Sequence, residues 1–251
     1  LDMAAGAPEG GGAACPRCGT VHLTFLDGTQ AATGAVQLAV PGLAPGDRFG
    51  GALAPLGQLD LAGAVDIAVG APGGAGRVFL LFLAEGGAVA SHRVLSLGAS
   101  SALGAVVAAG DAGLGSALAL GAAQDGVPSL LIGVESGGYA VQAFLTRGGA
   151  VKPGVSALAG PPSSVAGQAL ALAALGDWAG RGVGEVLLGT PSLEDEDLVT
   201  AVSESGQGCP EAPTVVIGSS CAVGDLDGDG HVDYAFGGDP AFAVGSGHVW
   251  I

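Results

Sequence analysis

One strand-like segment recurs five times along the chain, and this repeat constrains the fold more than any other feature of the sequence. Each copy is a short apolar run that leads to a glycine, and all but one of the copies begin with an acidic residue. The anchoring glycines are Gly6, Gly70, Gly133, Gly189 and Gly237. Their uneven separations indicate loops of variable length around a constant unit.

Further strand signals flank these copies. Runs rich in β-forming residues follow most anchors, and runs of small residues alternating with apolar ones precede the later anchors. The following runs begin at Gly19, Gly76, Gly138 and Gly247, and the preceding runs begin at Gly50, Gly115, Gly167 and Gly218. The chain has 49 glycines between short apolar runs. The apolar runs make the sequence too hydrophobic for a disordered chain, and the glycines indicate many tight turns.

A unit of about 50–60 residues with three or four strands, repeated several times, is typical of a β-propeller. We therefore predict an all-β fold, a β-propeller with about five visible blades in a single segment over residues 1-251. The approximate units are 1-47, 48-112, 113-163, 164-217 and 218-251. The alternative is a low-complexity chain, rich in glycine and alanine, that matches itself by chance.

The last unit contains an acidic loop whose spacing suits a calcium ion. The predicted metal ligands are Asp225, Asp227, Asp229, His231 through its carbonyl oxygen, and Asp233. Calcium takes about six to eight oxygen ligands in flexible geometry, and Gly230 permits the sharp turn that brings these oxygens together. The loop is not an EF-hand, because Phe236 stands where that motif requires a bidentate glutamate. A solvated acidic turn is the alternative interpretation.

Earlier copies of the acidic loop have lost carboxylates. The aligned positions of the second unit hold Gln58, Asp60, Ala62 and Asp66. Two carboxylates remain there, so we expect weak or no metal binding. In the fourth unit Arg181 takes a ligand position, and our hypothesis is that its guanidinium replaces the ion and pairs with Asp177 and Glu185. An unpaired surface arginine is equally compatible with the sequence. The third unit retains only Asp125, and we expect it to be metal-free.

Two segments of the chain resemble FG-GAP repeats, which form the propeller of integrin α-subunits and occur in many extracellular proteins. Phe49-Gly50 is followed by Gly70-Ala71-Pro72, and Gly218-Ser-Ser precedes the acidic loop. The resemblance covers nearly the whole chain, although it is poor around Ser129. It implies a propeller, usually of seven blades, with calcium in hairpin loops on one face. Five anchors do not make seven blades, so we expect either part of a longer propeller or completion by partner segments.

Charge and motif content exclude several functions. The chain has 23 Asp and Glu residues against 7 Lys and Arg residues, which argues against nucleic-acid binding because phosphate recognition needs clustered cations. No uncharged apolar run reaches about 18 residues, so we predict no membrane span within this segment. Nucleophile-elbow, phosphate-loop and zinc-protease motifs are also missing, and we predict that the chain is not an enzyme.

Cysteines and histidines add weaker signals. Of the three pairings that four cysteines allow, we favour Cys15–Cys18 and Cys209–Cys221 in an oxidising compartment, with a four-cysteine zinc site as the alternative. His22 and His248 lie at nearby positions of matching strands, where surface or packing roles are more common than ligation. The run 194–197 is acidic and is interpreted as a solvated loop.

Together these patterns predict an extracellular or cell-surface β-propeller, stabilised by Ca²⁺, that acts as a binding or adhesion module for a protein or glycan. The chain begins at Leu1, so we expect a targeting sequence outside this segment. One alternative is a structural subunit of an extracellular filament, wall or surface appendage, whose partners are further copies of the same assembly. A second alternative is the propeller module of a polysaccharide-active enzyme.

Overall fold

The computed structural model describes residues 2–98, 101–107 and 110–158, and beyond these the strands of residues 171–250 that are named below. Regular structure in this part of the chain is almost entirely extended, apart from two single-turn 3₁₀ helices at Glu85–Gly87 and Glu135–Gly137. The predicted all-β class is therefore confirmed. Among the same residues, no helix is long and apolar enough to cross a membrane.

The described strands form five antiparallel sheets, and in each sheet the spatial order of the strands follows the chain. Sheet 1 contains β1 (Met3–Ala7), β2 (Thr20–Leu26) and β3 (Ala32–Gln37). Sheet 2 contains β4 (Ala52–Gly57), β5 (Asp66–Ala71), β6 (Arg77–Leu83) and β7 (Val89–Ser96). Sheet 3 contains β8 (Leu114–Gln124), β9 (Val127–Val134), β10 (Tyr139–Phe144) and β11 (Ser156–Leu158). Sheet 4 contains β12 (Ala171–Gly176), β13 (Glu185–Thr190) and β14 (Leu198–Ser203). Sheet 5 contains β15 (Ser219–Gly224), β16 (Asp233–Gly238) and β17 (His248–Trp250).

All five predicted anchor segments are strands: β1, β5, β9, β13 and β16. The four runs predicted to follow an anchor are β2, β6, β10 and β17, and the runs predicted to precede one overlap β4, β8, β12 and β15. Four further strands were not predicted, namely β3, β7, β11 and β14. In sheet 2 this extra strand is an edge strand with largely exposed side chains, so its sequence lacks the apolar pattern of the inner strands.

Sheet 2 buries both of its faces, because the neighbouring sheets pack on either side. Side chains alternate along β6, as the period of two in a strand requires. Phe79 and Leu81 pack into an apolar cluster shared with sheet 1, and Leu80 and Phe82 pack into a cluster shared with sheet 3. A third cluster joins sheet 3 to sheet 4. The core is therefore a series of apolar layers between successive sheets, and the first strands of neighbouring sheets contact one another from β1 to β15.

Glycines form the joint between successive sheets, and the joint occurs twice with the same geometry. A Cβ at Gly6 would overlap the carbonyl oxygen of Gly50, and a Cβ at Gly70 would overlap that of Gly115. Gly50 and Gly115 both have positive φ, 92° and 88°, a conformation that side chains with a Cβ rarely adopt. At both of these anchor glycines, the backbone at the start of the next unit therefore lies at contact distance.

A parallel bridge completes each joint. Gly19 pairs with Phe49 between sheets 1 and 2, and Gly76 pairs with Leu114 between sheets 2 and 3. The Phe49 N–H donates to the carbonyl oxygen of Cys18 at 2.7 Å, and the Leu114 N–H donates to that of Ala75 at 3.4 Å. The two joints use aligned residues of successive units, so the repeat in the sequence is also a repeat in three dimensions.

Candidate functional site

The predicted calcium loop lies between the first two strands of sheet 5. Asp233 is the first residue of β16 and pairs with Gly224, the last residue of β15. Asp233 therefore begins its anchor strand, as the acidic residue at the start of this segment predicts. The other predicted ligands, namely Asp225, Asp227, Asp229 and His231, lie outside the described residues.

The same strand frame surrounds the aligned loops of two other units. Gly57 pairs with Asp66, and Gly176 pairs with Glu185. In all three sheets the register shifts immediately before this glycine, as it does at a β-bulge. The three loops, 58–65, 177–184 and 225–232, have the same length. Residues Asp177 and Arg181 of the fourth unit lie outside the described residues, so the proposed arginine replacement stays a hypothesis.

In the second unit, the carboxylate of Asp66 holds the loop closed through backbone hydrogen bonds. Asp66 is fully buried, and it accepts N–H groups from Leu59 at 2.8 Å and Asp60 at 3.3 Å. Its other oxygen accepts the N–H of Leu83 at 3.0 Å, at the end of β6. Both oxygens of the Asp66 carboxylate therefore accept backbone hydrogen bonds. Asp60 in turn accepts the N–H of Ala62 at 2.9 Å.

The third unit has replaced the loop by a two-residue hairpin. Asp125 and Gly126, both with positive φ, connect β8 directly to β9, as in an Asp-Gly type I′ turn. Asp125 pairs with the ammonium of Lys152 at 3.0 Å. The aligned Ser129 is buried, and its hydroxyl oxygen accepts a hydrogen bond from the amide of Gln142 at 3.0 Å. Among the described residues, no three carboxylate, histidine or cysteine side chains are grouped to hold a metal ion.

A cleft of about 280 Å³ opens between the loop of the second unit and the hairpin of the third. Its walls are mostly aliphatic, with one amide and one guanidinium at the polar positions. The lining side chains include Gln58, Leu59, Leu120, Val127, Pro128 and Arg147. The sequence patterns did not identify this cleft, because its residues come from two units and from three separate turns.

At the opposite end of β4, ion pairs connect the first two units. Glu9 pairs with both Arg17 and Arg48, and the latter contact is 3.1 Å. The hydrogen bond from Arg17 holds the pKa of Glu9 below its ordinary value. Arg77 pairs with Asp47 across the same region and lies 5.2 Å from the centre of the Phe79 ring. These contacts tie the residues before β4 to both sheet 1 and sheet 2.

Cys15 and Cys18 form a disulfide, with their Cα atoms 5.6 Å apart. This confirms one of the two predicted pairings; the other includes Cys209, which lies outside the described residues. The disulfide loop docks on the segment before β4. The Gly46 N–H donates to the Pro16 carbonyl at 3.0 Å, and the Arg48 N–H donates to that of Arg17 at 3.1 Å.

Two histidines and the acidic run carry no site in the described structure. His22 is exposed on β2, and His248 opens β17. The exposure of His22 fits the predicted surface role, and the role of His248 stays a prediction. The acidic run 194–197 lies outside the described residues, directly before β14.

No family model matches the sequence. No curated protein shows significant similarity to the chain. The repeat, the joints and the loops of the chain itself therefore provide the basis for a functional proposal.

Proposed function

We propose that the chain is an extracellular binding module: a calcium-stabilised β-propeller of FG-GAP-like units that contacts a protein or glycan through loops between its strands. The single observation that carries this proposal is the joint that occurs twice, at Gly6–Gly50 and at Gly70–Gly115. Joints of the same kind between successive sheets are expected to rotate each sheet by a similar step relative to the last. Repetition of one such step is how a propeller is generated.

The two-sided burial of sheet 2 supports the same arrangement. A sheet in a two-layer sandwich buries one face only, whereas a blade between two other blades buries both. β5 is buried at all six positions, and β6 at six of its seven positions. Such a scaffold is rigid, and its connecting loops are free to vary in sequence. Binding proteins commonly carry their contact residues on loops that a rigid scaffold positions.

The calcium part of the proposal is supported by the frame of the loop. Three units share a glycine–carboxylate pair at the strand ends, and only the last of them keeps acidic residues at every aligned ligand position. Calcium modules outside cells bind at about 10⁻⁴–10⁻³ M, which matches an extracellular supply of the ion. The disulfide Cys15–Cys18 fits the same compartment.

A binding screen tests the proposal. The purified chain is applied to arrays of extracellular-matrix proteins, cell-surface proteins and glycans, once in millimolar calcium and once after chelation. We expect a saturable ligand whose binding weakens when calcium is removed. Turnover of a polysaccharide, or assembly of the chain into filaments with no ligand bound, would overturn the proposal in favour of the catalytic or structural alternative.

A further inference from the structure

The cleft between the second and third units combines an aliphatic wall with a cation that has no partner among the described residues. Leu59 and Val127 are buried at its base, and Leu120 and Pro128 are partly exposed along its sides. The exposed guanidinium of Arg147 lies at its edge, next to the Gly126 turn. A site of this kind suits a ligand with a small apolar body and one negative charge.

Arg147 is unusual among the cations of this acidic chain. Each of the other Lys and Arg residues in the described part of the chain contacts a carboxylate or a backbone carbonyl. Arg147 contacts neither, even though Asp125 lies in the adjoining hairpin, because Lys152 binds that carboxylate at 3.0 Å. The guanidinium is therefore left for an external anion.

The turn that carries Arg147 is held in place before any ligand arrives. Thr146 closes it twice: its carbonyl oxygen accepts the Gly149 N–H at 2.9 Å, and its hydroxyl accepts the Ala150 N–H at 3.0 Å. Arg93 of β7 donates to the carbonyl oxygen of Gly148 at 2.9 Å, which fixes the turn to sheet 2. The backbone that carries Arg147 is therefore ordered before a ligand binds, which lowers the entropy cost of binding.

The loop that lines the cleft with Gln58 and Leu59 also exposes two apolar side chains outside the cleft lining. Leu61 and Val65 expose 64% and 53% of their area, and they are two of the few large hydrophobic residues so exposed in the described structure. Leu61 also has a φ of 63°, which a branched side chain adopts at a cost. The Gln58 amide braces this loop by donating to the carbonyl oxygen of Gly63 at 3.0 Å.

We propose that this cleft binds an extended peptide segment of a partner protein in which an aliphatic side chain stands next to a carboxylate. The aliphatic group would pack against the apolar lining of the cleft, where Leu120 and Pro128 are partly exposed, and the carboxylate would bind Arg147. A sugar fits less well, because its hydroxyls need several polar partners and the lining side chains supply only Gln58 and Arg147. This inference rests on the proposed binding role and narrows the partner to a peptide.

Calorimetric titration of the full chain with a blocked hexapeptide, Gly-Gly-Leu-Glu-Gly-Gly, tests the proposal. Its matched controls replace the glutamate by glutamine or the leucine by alanine. We expect Arg147→Gln to weaken binding of the acidic peptide by about tenfold or more, because a charge-assisted hydrogen bond is lost. Arg48→Gln removes the same charge at the other end of β4 and should leave the affinity unchanged.

Three results would overturn this assignment. The first is equal affinity for the acidic peptide and its glutamine counterpart, and the second is an equal loss in Arg147→Gln and Arg48→Gln. The third is binding of free glucuronate, dependent on Arg147, without binding of the peptide. If the screen described above finds a ligand that Arg147→Gln does not affect, the binding role stands and the cleft assignment alone fails. If neither screen nor peptide gives binding, both fail.

Discussion

The buried carboxylate of Asp66 holds together the loop and the strand ends of the second unit. It is fully buried at the start of β5 and accepts three backbone N–H groups, two from its own loop and one from the end of β6. The aligned Asp233 is one of the predicted calcium ligands in the last unit. The same position therefore serves backbone hydrogen bonding in one copy and is predicted to serve an ion in another.

Asp66→Ala should destabilise the fold strongly, because it leaves buried N–H donors without an acceptor. We expect a loss of about 3–5 kcal/mol in the free energy of unfolding. Denaturant titration measures this loss. Asp60→Ala is the matched control in the same loop, and since its side chain accepts a single exposed N–H, it should cost less than about 1 kcal/mol. Equal effects of the two substitutions would contradict the assigned role of Asp66.

Asp27 gives a prediction about pH. The Thr29 hydroxyl, and then the N–H groups of Thr29 and Ala31, lower the pKa of Asp27 from its ordinary value of 3.8. A carboxyl whose pKa is lowered by folding stabilises the native state above its ordinary pKa and loses this effect as the pH falls through the lowered value. Asp27→Asn should therefore be less stable than the wild type at neutral pH, and the difference should shrink in acid.

Thermal unfolding across a pH series measures that difference for Asp27→Asn. Thr29→Val serves as a second variant, since it removes the hydroxyl that contributes most to the lowered pKa. This variant should show a reduced pH dependence of stability compared with the wild type. A stability difference for Asp27→Asn that stays constant from neutral pH into acid would show that the hydrogen bonds of this turn do not depend on its charge.

At the scale of the strand and loop, the joint between sheets is the feature to test. Gly70→Ala places a Cβ against the backbone of Gly115, which has no freedom to withdraw. We expect a loss of about 2–3 kcal/mol, as for other overpacked sites. Gly28→Ala is the control, because a Cβ there meets open space. Comparable stability of the two variants would show that the close joint does not hold the sheets together.

The acidic loop is tested by paired substitutions at one position of the repeat. Asp227→Asn alters the predicted calcium loop, and Asp60→Asn alters the aligned position of the second unit. Calcium at about ten times its Kd should stabilise the wild type and Asp60→Asn by about 1–2 kcal/mol, and Asp227→Asn much less. Calorimetry with calcium and with chelator measures this stabilisation. Equal stabilisation of all three proteins would place the ion elsewhere.

The sequence was sufficient to predict the anchor strands and the strands directly before and after them, but not β3, β7, β11 and β14. Anchor strands such as β5 are buried on both faces, so their apolar runs and closing glycines are plain in the sequence. An edge strand such as β7 is largely exposed and carries no such pattern. The cleft was missed for another reason. Gln58, Gly126 and Arg147 meet only because two units pack together, and no local spacing encodes that contact.

At the scale of the whole molecule, the described sheets follow one another with a repeated joint and a repeated apolar layer. Turns on successive units also pack on the preceding sheet in the same way. Gly87 lies against Leu23 and Phe25 of sheet 1, and Gly149 lies against Leu80 and Phe82 of sheet 2. Three kinds of contact therefore recur from one unit to the next. Regular recurrence is what we expect of blades around an axis.

We propose that these sheets are the blades of a propeller, and a crystal structure of the chain grown in millimolar calcium tests this arrangement. We predict that the first strands of successive sheets, from β1 to β15, face one common axis, with each sheet rotated by a similar angle from the last. Sheets stacked face to face in two layers, with no common axis, would contradict it.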